Sequence, residues 1–315
     1  MNNKLAIVIP AYKSTFFRQA LESIAKQSCQ DFNLYIGDDA SPEDLAAIVN
    51  EFKYNSNIIY RRFDVNYGGK DLVSHWNRCI SMTNSEEWIW LFSDDDVMAA
   101  NCVELFYKNL KIYDKQKIFH INVKVINQHN KLLYDCTTFP EKITSSELFA
   151  GKVKLRLVST VVEYIFRRDL FESKGGFENY DLAWGSDDAT WIKLNGNEQI
   201  LTIQDCNIFW RYSTENISSS LSDPSIVTRK IEANIEYLNW IKLFFRENNI
   251  EDCTSDIDKL KWMLQTVKNS SLSIIEQINL SLLISKKAML KENSLIWGIA
   301  YILFSRAKNL LTLKN

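Results

Sequence analysis

Three features of the sequence predict an α/β fold: a mostly parallel central sheet flanked by helices, followed by a C-terminal helical region. Short apolar runs rich in β-branched and aromatic residues alternate with helical patterns through the first half of the 315 residues. Those runs are too apolar for a sheet with one solvated face, so helices must cover both faces, as βαβ units do. Chain breakers are unevenly placed: eight of nine glycines and three of four prolines occur by Gly196, and after Pro224 only Gly298 remains. Breakers are scarce in long helices, so a boundary is expected near residues 214 to 224, dividing a domain over 1–215 from a helical region over 216–315.

The first strand is "LAIVIP"; the few residues before it hold a single lysine, so this start reads as a strand and not a targeting segment. Then "STFFRQALESIAKQS" reads as a helix, "NLYIG" as a strand, "PEDLAAIVNEF" as a helix and "NIIYRRF" as a strand. "GGKDLVSHWNRCISM" continues as a helix and "EWIWLF" as a fully apolar strand. "KIFHINVKVINQHNKLLYD" has the pattern of a hairpin-like strand pair, and "LRLVSTVVEYIFRR" that of a strand running into a helix. "GGFENYDLAWGSDDATWIKLNG" is a glycine-rich loop entering a short helix, "NIFWRY" the last strand signal, and "IVTRKIEANIEYLNWIKLFFRENN" opens the helical tail.

Composition is that of a globular protein, 46% hydrophobic and 24% charged with a formal net charge of -2. That balance lacks the basic excess of a nucleic-acid surface, so no nucleic-acid partner is expected. Cys29, Cys79, Cys102, Cys136, Cys206 and Cys253 stand far apart with no CxxC pair, the usage of reduced thiols in a cytoplasmic protein. Charge is unevenly spread: from Lys259 onward nine Lys/Arg face two Glu, about +7, leaving about -9 for the first 258 residues.

Parallel sheets bind ligands beyond the carboxyl ends of their strands, which directs attention to "PAYKS", "GDDAS" and "SDDD". In the last, Asp94, Asp95 and Asp96 crowd like charges at the end of a buried element. Either a helix N-terminus or a cation would hold them there. There is no GxxxxGK[ST] and no GxGxxG loop, so a bound diphosphate would need neutralising by a divalent metal on carboxylates, Mn²⁺ or Mg²⁺. In "GDDAS", an Asx turn with Ser41 capping the next helix accounts for one of Asp38 and Asp39; the other is left to accept from a uracil imide N–H or ribose hydroxyls. His75, His120 and His129 lack metal-ligand spacing, and Asp135 and Cys136 read as structural.

"IVIPAYKSTFFRQALESIAKQS", "FNLYIGDDAS", "WIWLFSDDD" and "GSDDATW" occur in the order and rough spacing of the inverting family 2 glycosyltransferases, which have the GT-A fold. The resemblance covers residues 4 to about 213 and is specific for the family, not for the sugar. It implies that Pro10, Ala11 and Tyr12 form the first nucleotide-contacting loop and that Asp39 recognises the base. Asp95 resembles the carboxylate that reaches the metal through the diphosphate, with Asp94 and Asp96 beside it at ribose and metal; Ser93 stands where the common pattern has Asp. "GSDDATW" resembles the segment whose acidic pair ends in the catalytic base, which assigns the base to Asp188. Consecutive helical residues point about 100° apart, so Asp187 is expected to cap the helix or orient the acceptor. Lys70 and Arg211 are candidates for the donor phosphates, Arg211 with a surface ion pair as the plainer alternative, and Trp184 for stacking on an acceptor sugar.

Together these imply a metal-dependent inverting transferase that moves a sugar from a nucleotide sugar, UDP-linked by expectation, to a glycan or polyprenyl-linked saccharide. A degenerate sugar-nucleotide-binding subunit is the rival that Ser93 raises. The tail combines helical apolar spacing with flanking Lys and Arg, and its apolar run from Leu295 to Phe304 is half of what a bilayer span takes, about 20 residues. A peripheral seat on the inner face of the membrane, with Trp297 and Tyr301 at headgroup level, competes with packing on the catalytic domain or on a second chain.

Overall fold

The computed structural model describes residues 4–52, 57–213, 223–290 and 294–312. Its strands are β1 (Leu5–Ala11), β2 (Phe32–Asp38), β3 (Asn57–Arg62), β4 (Trp88–Leu91), β5 (Val97–Met98), β6 (Ile118–Ile126), β7 (Leu132–Asp135), β8 (Lys142–Thr144), β9 (Tyr164–Arg167) and β10 (Gln199–Arg211). They form one sheet in the order β3-β2-β1-β4-β9-β6-β10-β5, with β7 on β6 and β8 on β10. The pairs β1/β2, β1/β4, β2/β3 and β6/β10 are parallel, whereas β9 runs antiparallel between β4 and β6. The sheet is therefore mostly parallel, as expected, and the carboxyl ends of β1, β2 and β4 lie side by side.

Alternation along β1 shows why both faces are covered. Ala6 and Val8 enter one hydrophobic cluster, while Leu5, Ile7, Ile9 and Ala11 enter the other. On the second face lie α1 (Phe17–Ala25), α2 (Leu45–Asn50) and, further along, α4 (Cys102–Ile112); on the first lie α3 (Leu72–Ile80), α5 (Ser145–Val153), α6 (Arg168–Ser173) and α7 (Ser186–Asn195).

The chain after residue 222 is helical: α8 (Pro224–Glu247), α9 (Asp256–Lys268), α10 (Ile274–Lys287) and α11 (Ser294–Thr312). The starts are written locally. Asp223 caps α8 ahead of a proline in the first turn, and Ser255 with Asp258 and Ser273 with Glu276 form capping boxes on α9 and α10. Ile231, Tyr237, Leu238, Leu260, Met263 and Leu264 of these helices share a cluster with Trp76, Phe149 and Trp191 of the α/β part. The boundary expected near 214 to 224 falls mostly outside the described residues.

The hairpin expected over residues 117–135 is present as β6 and β7, antiparallel with Lys124 opposite Asp135. β10 is longer than "NIFWRY". Its register shifts between Ile203 and Asn207, and Asp205 there adopts a left-handed φ of 64°. Such a bulge interrupts the period-2 pattern that sequence reading depends on. β9 is correspondingly shorter than its apolar run: Leu155 to Glu163 is loop, with Leu155 at φ 55°.

Candidate active site

The loops after β1, β2 and β4 and the start of α7 meet around a cavity of about 700 Å³, within the size range of small-molecule sites. Pro10, Tyr12, Asp39, Ser93, Asp94, Asp95, Trp184, Asp187 and Asp188 all line it.

At the end of β2 the two aspartates divide as a turn residue and a cavity residue. Asp38 is fully buried, accepts from the Ser41 amide at 2.7 Å and from Tyr60 Oη at 2.5 Å, and pairs with Arg62 Nη1 at 2.9 Å. It does not reach the cavity, so its assignment to the nucleotide is corrected: its oxygens hold the turn. Asp39 faces the cavity and also organises it, accepting from the Tyr67 and Gly68 amides at 2.8 and 2.7 Å and from the Arg78 guanidinium. A Cβ on Gly68 would stand 2.7 Å from Asp39 Oδ2, so the loop approaches this closely because that residue is glycine. His75 and the Arg78 guanidinium stack the corner further. Arg78 Nε donates to His75 Nδ1 at 2.9 Å, and its guanidinium lies 4.0 and 4.2 Å from the rings of Phe63 and Tyr67. Burial pulls His75 down to about 4 against the field of Asp39, so the ring is neutral near pH 7.

The acidic triplet resolves into three jobs. Asp94 Oδ2 accepts from the Tyr12 and Lys13 amides at 2.8 and 2.9 Å, tying the β1 loop to the β4 loop. Asp95 is half-buried on the cavity wall. Asp96 is buried and turned away: Ser93 Oγ donates to its Oδ2 at 2.6 Å and the Arg211 amide to its Oδ1 at 2.7 Å. With both oxygens engaged behind the wall, Asp96 is not placed to ligate a metal, which corrects that expectation. Burial and then Asp95 push Asp94 up to about 6; burial raises Asp95 as well, against Lys13. Carboxylates that resist ionisation when empty are the ones a cation relieves. No group of three or more His, Cys, Asp or Glu that could hold a metal occurs among the described residues. Asp94 and Asp95 nevertheless suit a divalent ion bound through one or two carboxylates with substrate phosphates completing its shell.

Arg211 is neither a phosphate ligand nor a surface ion pair. Fully buried, it donates from Nε to the Asp95 carbonyl at 2.7 Å, from Nη1 to Asn130 Oδ1 at 2.7 Å and from Nη2 to Gln19 Oε1 at 2.9 Å, with Phe16 under its plane. It is the bracket that holds the triplet loop to α1 and β7's turn. Lys70 is exposed and off the cavity wall, its amide spent on a turn to Tyr67. Ala11 is buried beneath Pro10 and Tyr12 as part of β1.

The acidic pair of α7 opens on Gly185, whose φ of 82° is left-handed and whose missing Cβ would lie 3.5 Å from the Tyr237 ring of α8. Asp188 is 5% exposed and pairs with Lys152 Nζ of α5 at 2.5 Å. Although burial works against it, Lys152 is held above the ordinary lysine value by Asp188 and Asp187. Asp187 is less buried, and burial followed by the charge of Asp188 pushes it up to about 7. Behind the pair, Glu163 is fully buried and accepts from the Thr160 amide at 2.5 Å and from the Thr160 hydroxyl; burial pushes it up to about 8.

Several lining residues escaped the sequence reading: Lys13, His75, Lys152, and, from the C-terminal helices, Asn234, Trp262 and Thr266. Lys152 had a signal, a lysine on the cavity side of an otherwise apolar "ELFAGKV" helix, in a region where pattern said little. The helical residues had none, because their spacing is that of ordinary core.

The description "Glycosyl transferase family 2" matches residues 6–171. The chain belongs to glycosyltransferase family 2. It is an inverting-family enzyme that transfers a sugar from a nucleotide sugar. Among curated proteins, Glycosyltransferase GlyG of Streptococcus pneumoniae serotype 4 is 25% identical over 115 residues, 36% of this chain and 37% of the relative, so the match spans little more than a third of that protein. Among solved structures, S. aureus TarS 1-349 in complex with UDP-GlcNAc is similar with a TM-score of 0.60 at 16% identity, covering 97% of this chain and 92% of that one. The mannosyltransferase PcManGT from Pyrobaculum calidifontis, in complex with GDP-Man and Mn²⁺, gives 0.54 at 13% identity over 98% of this chain and 88% of that one. At such identities the likeness shows the fold, which is GT-A-like.

Proposed function

We propose that this glycosyltransferase uses a UDP-linked sugar and a divalent ion, Mn²⁺ or Mg²⁺, and transfers the sugar with inversion to a hydroxyl of a glycan or lipid-linked saccharide in surface polysaccharide synthesis. The observation that carries the reading is the convergence of Asp39, the Asp94–Asp95 pair and the Asp187–Asp188 pair on one cavity. Asp39, with neutral His75 beside it, lies at the corner suited to a base; Asp94 and Asp95 would hold the ion. When bound, that ion supplies Lewis acidity at the leaving diphosphate. Solved structures of similar fold in complex with UDP-GlcNAc and with GDP-Man and Mn²⁺ support a nucleotide-sugar donor and a metal.

Asp188 is assigned as general base, ion-paired with Lys152 and lining the cavity. A second reading has a specific observation behind it: Asp187, pushed up to about 7, has the basicity that proton abstraction near neutral pH favours. Turnover of a nucleotide-sugar panel, with Mn²⁺ and with chelator, tests the function. Sugar release or transfer that requires metal is expected, and donor binding without turnover would restore the degenerate-subunit reading.

We place the enzyme peripherally on the cytoplasmic face of a membrane. Among the described residues no helix is long and apolar enough to cross one. Ile296, Trp297 and Phe304 of α11 are 71%, 56% and 73% exposed, an apolar face of the kind that lies in an interface. Tyr301, expected beside Trp297, instead turns toward Gln265 of α9. The side chains of Lys291, Arg306 and Lys308 lie outside the described ones. Flotation with anionic liposomes should carry the full chain and fail for Trp297→Glu; equal flotation sinks the interfacial placement.

A further inference from the structure

Two helices on the first face of the sheet, α5 and α7, lie antiparallel, and the two ends of the pair are fastened differently. At the end away from the cavity, Ser145 Oγ donates to the Gly196 carbonyl at 2.7 Å and accepts from Asn195 Nδ2 at 3.0 Å. At the cavity end the fastening is the ion pair of Lys152 with Asp188. Such a pair strips water from both partners, and apolar residues of similar volume would join the helices as well or better. A charged fastening that opens on the cavity therefore points to a use besides packing.

The place of Asp188 in its helix sharpens the point. With Gly185 as the cap, Asp188 is the third residue of α7, where a carboxylate ordinarily turns back onto the first amides of its own helix. It is drawn across to α5 instead. Lys152 is the one partner its carboxylate has among the described residues, and the contact takes Oδ2 at 2.5 Å. The oxygen left for a substrate hydroxyl is Oδ1.

Lys152 is itself held from behind. A Cβ on Gly151 would run into the Leu157 side chain, so this glycine lets the chain fold back over the end of α5, with the Arg156 and Leu157 amides on the Gly151 carbonyl at 2.8 and 3.1 Å. The return brings the Ser159 carbonyl to 3.3 Å from Lys152 Nζ, and Ser159 Oγ meets Tyr164 Oη at 2.9 Å. Burial opposes the charge on the amine, but Asp188 and Asp187 outweigh it, with Glu163 the third carboxylate facing the group.

We infer that Lys152 is a positioning residue of the transfer reaction, holding Asp188 by one oxygen so that the other meets the attacking hydroxyl. The inference rests on Asp188 as general base, proposed above, and adds what aims it. The hydroxyl proton goes to Oδ1 of Asp188 as the new glycosidic bond forms, the bond to the diphosphate breaks and the diphosphate leaves with its electron pair; Lys152 stays protonated throughout. A misplacement of about 1 Å can cost on the order of 10²-fold in rate, so a base free to turn back onto its own helix would serve poorly.

The test is a double-mutant cycle on the full chain with Mn²⁺ and a panel of UDP- and GDP-linked sugars, reading donor hydrolysis, in which water is the acceptor, as kcat and donor KM. Lys152→Met is expected to lower kcat about tenfold or more with donor KM within about twofold. In the Asp188→Asn background the same change should alter kcat by less than about twofold, since no base is left to position. Should Lys152→Met alone fail to fold, the double variant, which leaves no charge unpaired, carries the comparison with Asp188→Asn. An unchanged kcat in Lys152→Met, or a further tenfold loss in the double variant, overturns the inference. A donor KM raised about tenfold in both backgrounds also overturns it, by placing the amine on the donor. Full turnover in Asp188→Asn strikes the base assignment itself, and the role of Lys152 falls with it. A crystal structure of Lys152→Met reads the inference without turnover: the Asp188 carboxylate should turn back onto the α7 amides, and a carboxylate left in place overturns the positioning role.

Discussion

The two sides of the cavity are built by different rules. On the side proposed for the metal, the lining groups follow directly on strand ends: Asp39 after β2, Asp94 and Asp95 after β4, Pro10 and Tyr12 at the end of β1. Backbone register fixes them, because the parallel sheet brings Ala11, Asp38 and the residue after Leu91 to one edge whatever the helices do. On the other side, Lys152, Asn234, Trp262 and Thr266 come from three helices far apart in sequence and are placed only by packing. The contrast separates chemistry tied to sheet topology, which motifs after strands reveal, from side chains placed by helix packing, which they do not.

Removing the base should cost most. Asp188→Asn is expected to lower turnover by about 10²–10⁴-fold, the usual worth of general base catalysis, with nucleotide binding kept. Asp187→Asn measured alongside decides between the two carboxylates, and the pH profile gives an independent answer. If Asp187 abstracts the proton, it must be ionised, so the rate climbs with pH through about 7. Comparable loss in neither variant breaks the assignment of chemistry to α7.

The triplet divides function from structure within three residues. Asp95→Asn should abolish the metal dependence of turnover and leave thermal stability within a few degrees, because Asp95 is the half-buried member on the cavity. Asp96→Asn should instead lower stability by about 1–3 kcal/mol, since its buried carboxylate serves Ser93 and the Arg211 amide. Metal-dependence curves and denaturant melts read the two outcomes; the reverse pattern would return Asp96 to the metal.

Arg211→Met tests the bracket. It strips partners from the Asp95 carbonyl, Asn130 and Gln19 in a fully buried setting, and a loss on the order of 3 kcal/mol is expected by urea denaturation. A substitution that leaves stability intact but halves donor affinity would mean that the guanidinium reaches phosphate after all.

The sequence was legible where a residue's role depends on its place after a strand. The strands of the first half, the cluster after Phe92 and the pair after Gly185 could all be located from motifs in apolar context. It was not legible where role depends on which way a side chain turns. Asp94, Asp95 and Asp96 are identical letters, and only the Ser93 and Arg211 contacts separate the wall residue from the buried one. Arg211 illustrates the same limit, since an arginine at a strand end reads the same whether it faces solvent or spans three loops. The C-terminal wall was least visible, because Trp262 and Asn234 sit at positions indistinguishable from core spacing.

The smallest expected effect concerns pH and the carboxylates behind the base. Glu163 and Asp187 are pushed up to about 8 and about 7 by burial, above their ordinary values in an unfolded chain of about 4. The folded state then holds protons that the unfolded state has released, so this part of the stability is full in acid and is lost as pH rises, ending near 8. Melting temperature of the metal-free protein should fall by several degrees between pH 5.5 and 8.5. Glu163→Gln removes one of these protonation steps and should flatten the upper half of that slope. A slope that persists unchanged in Glu163→Gln would assign the titration to Asp187 or to Asp94, pushed up to about 6, and added Mn²⁺ with UDP would then erase only the share that belongs to Asp94.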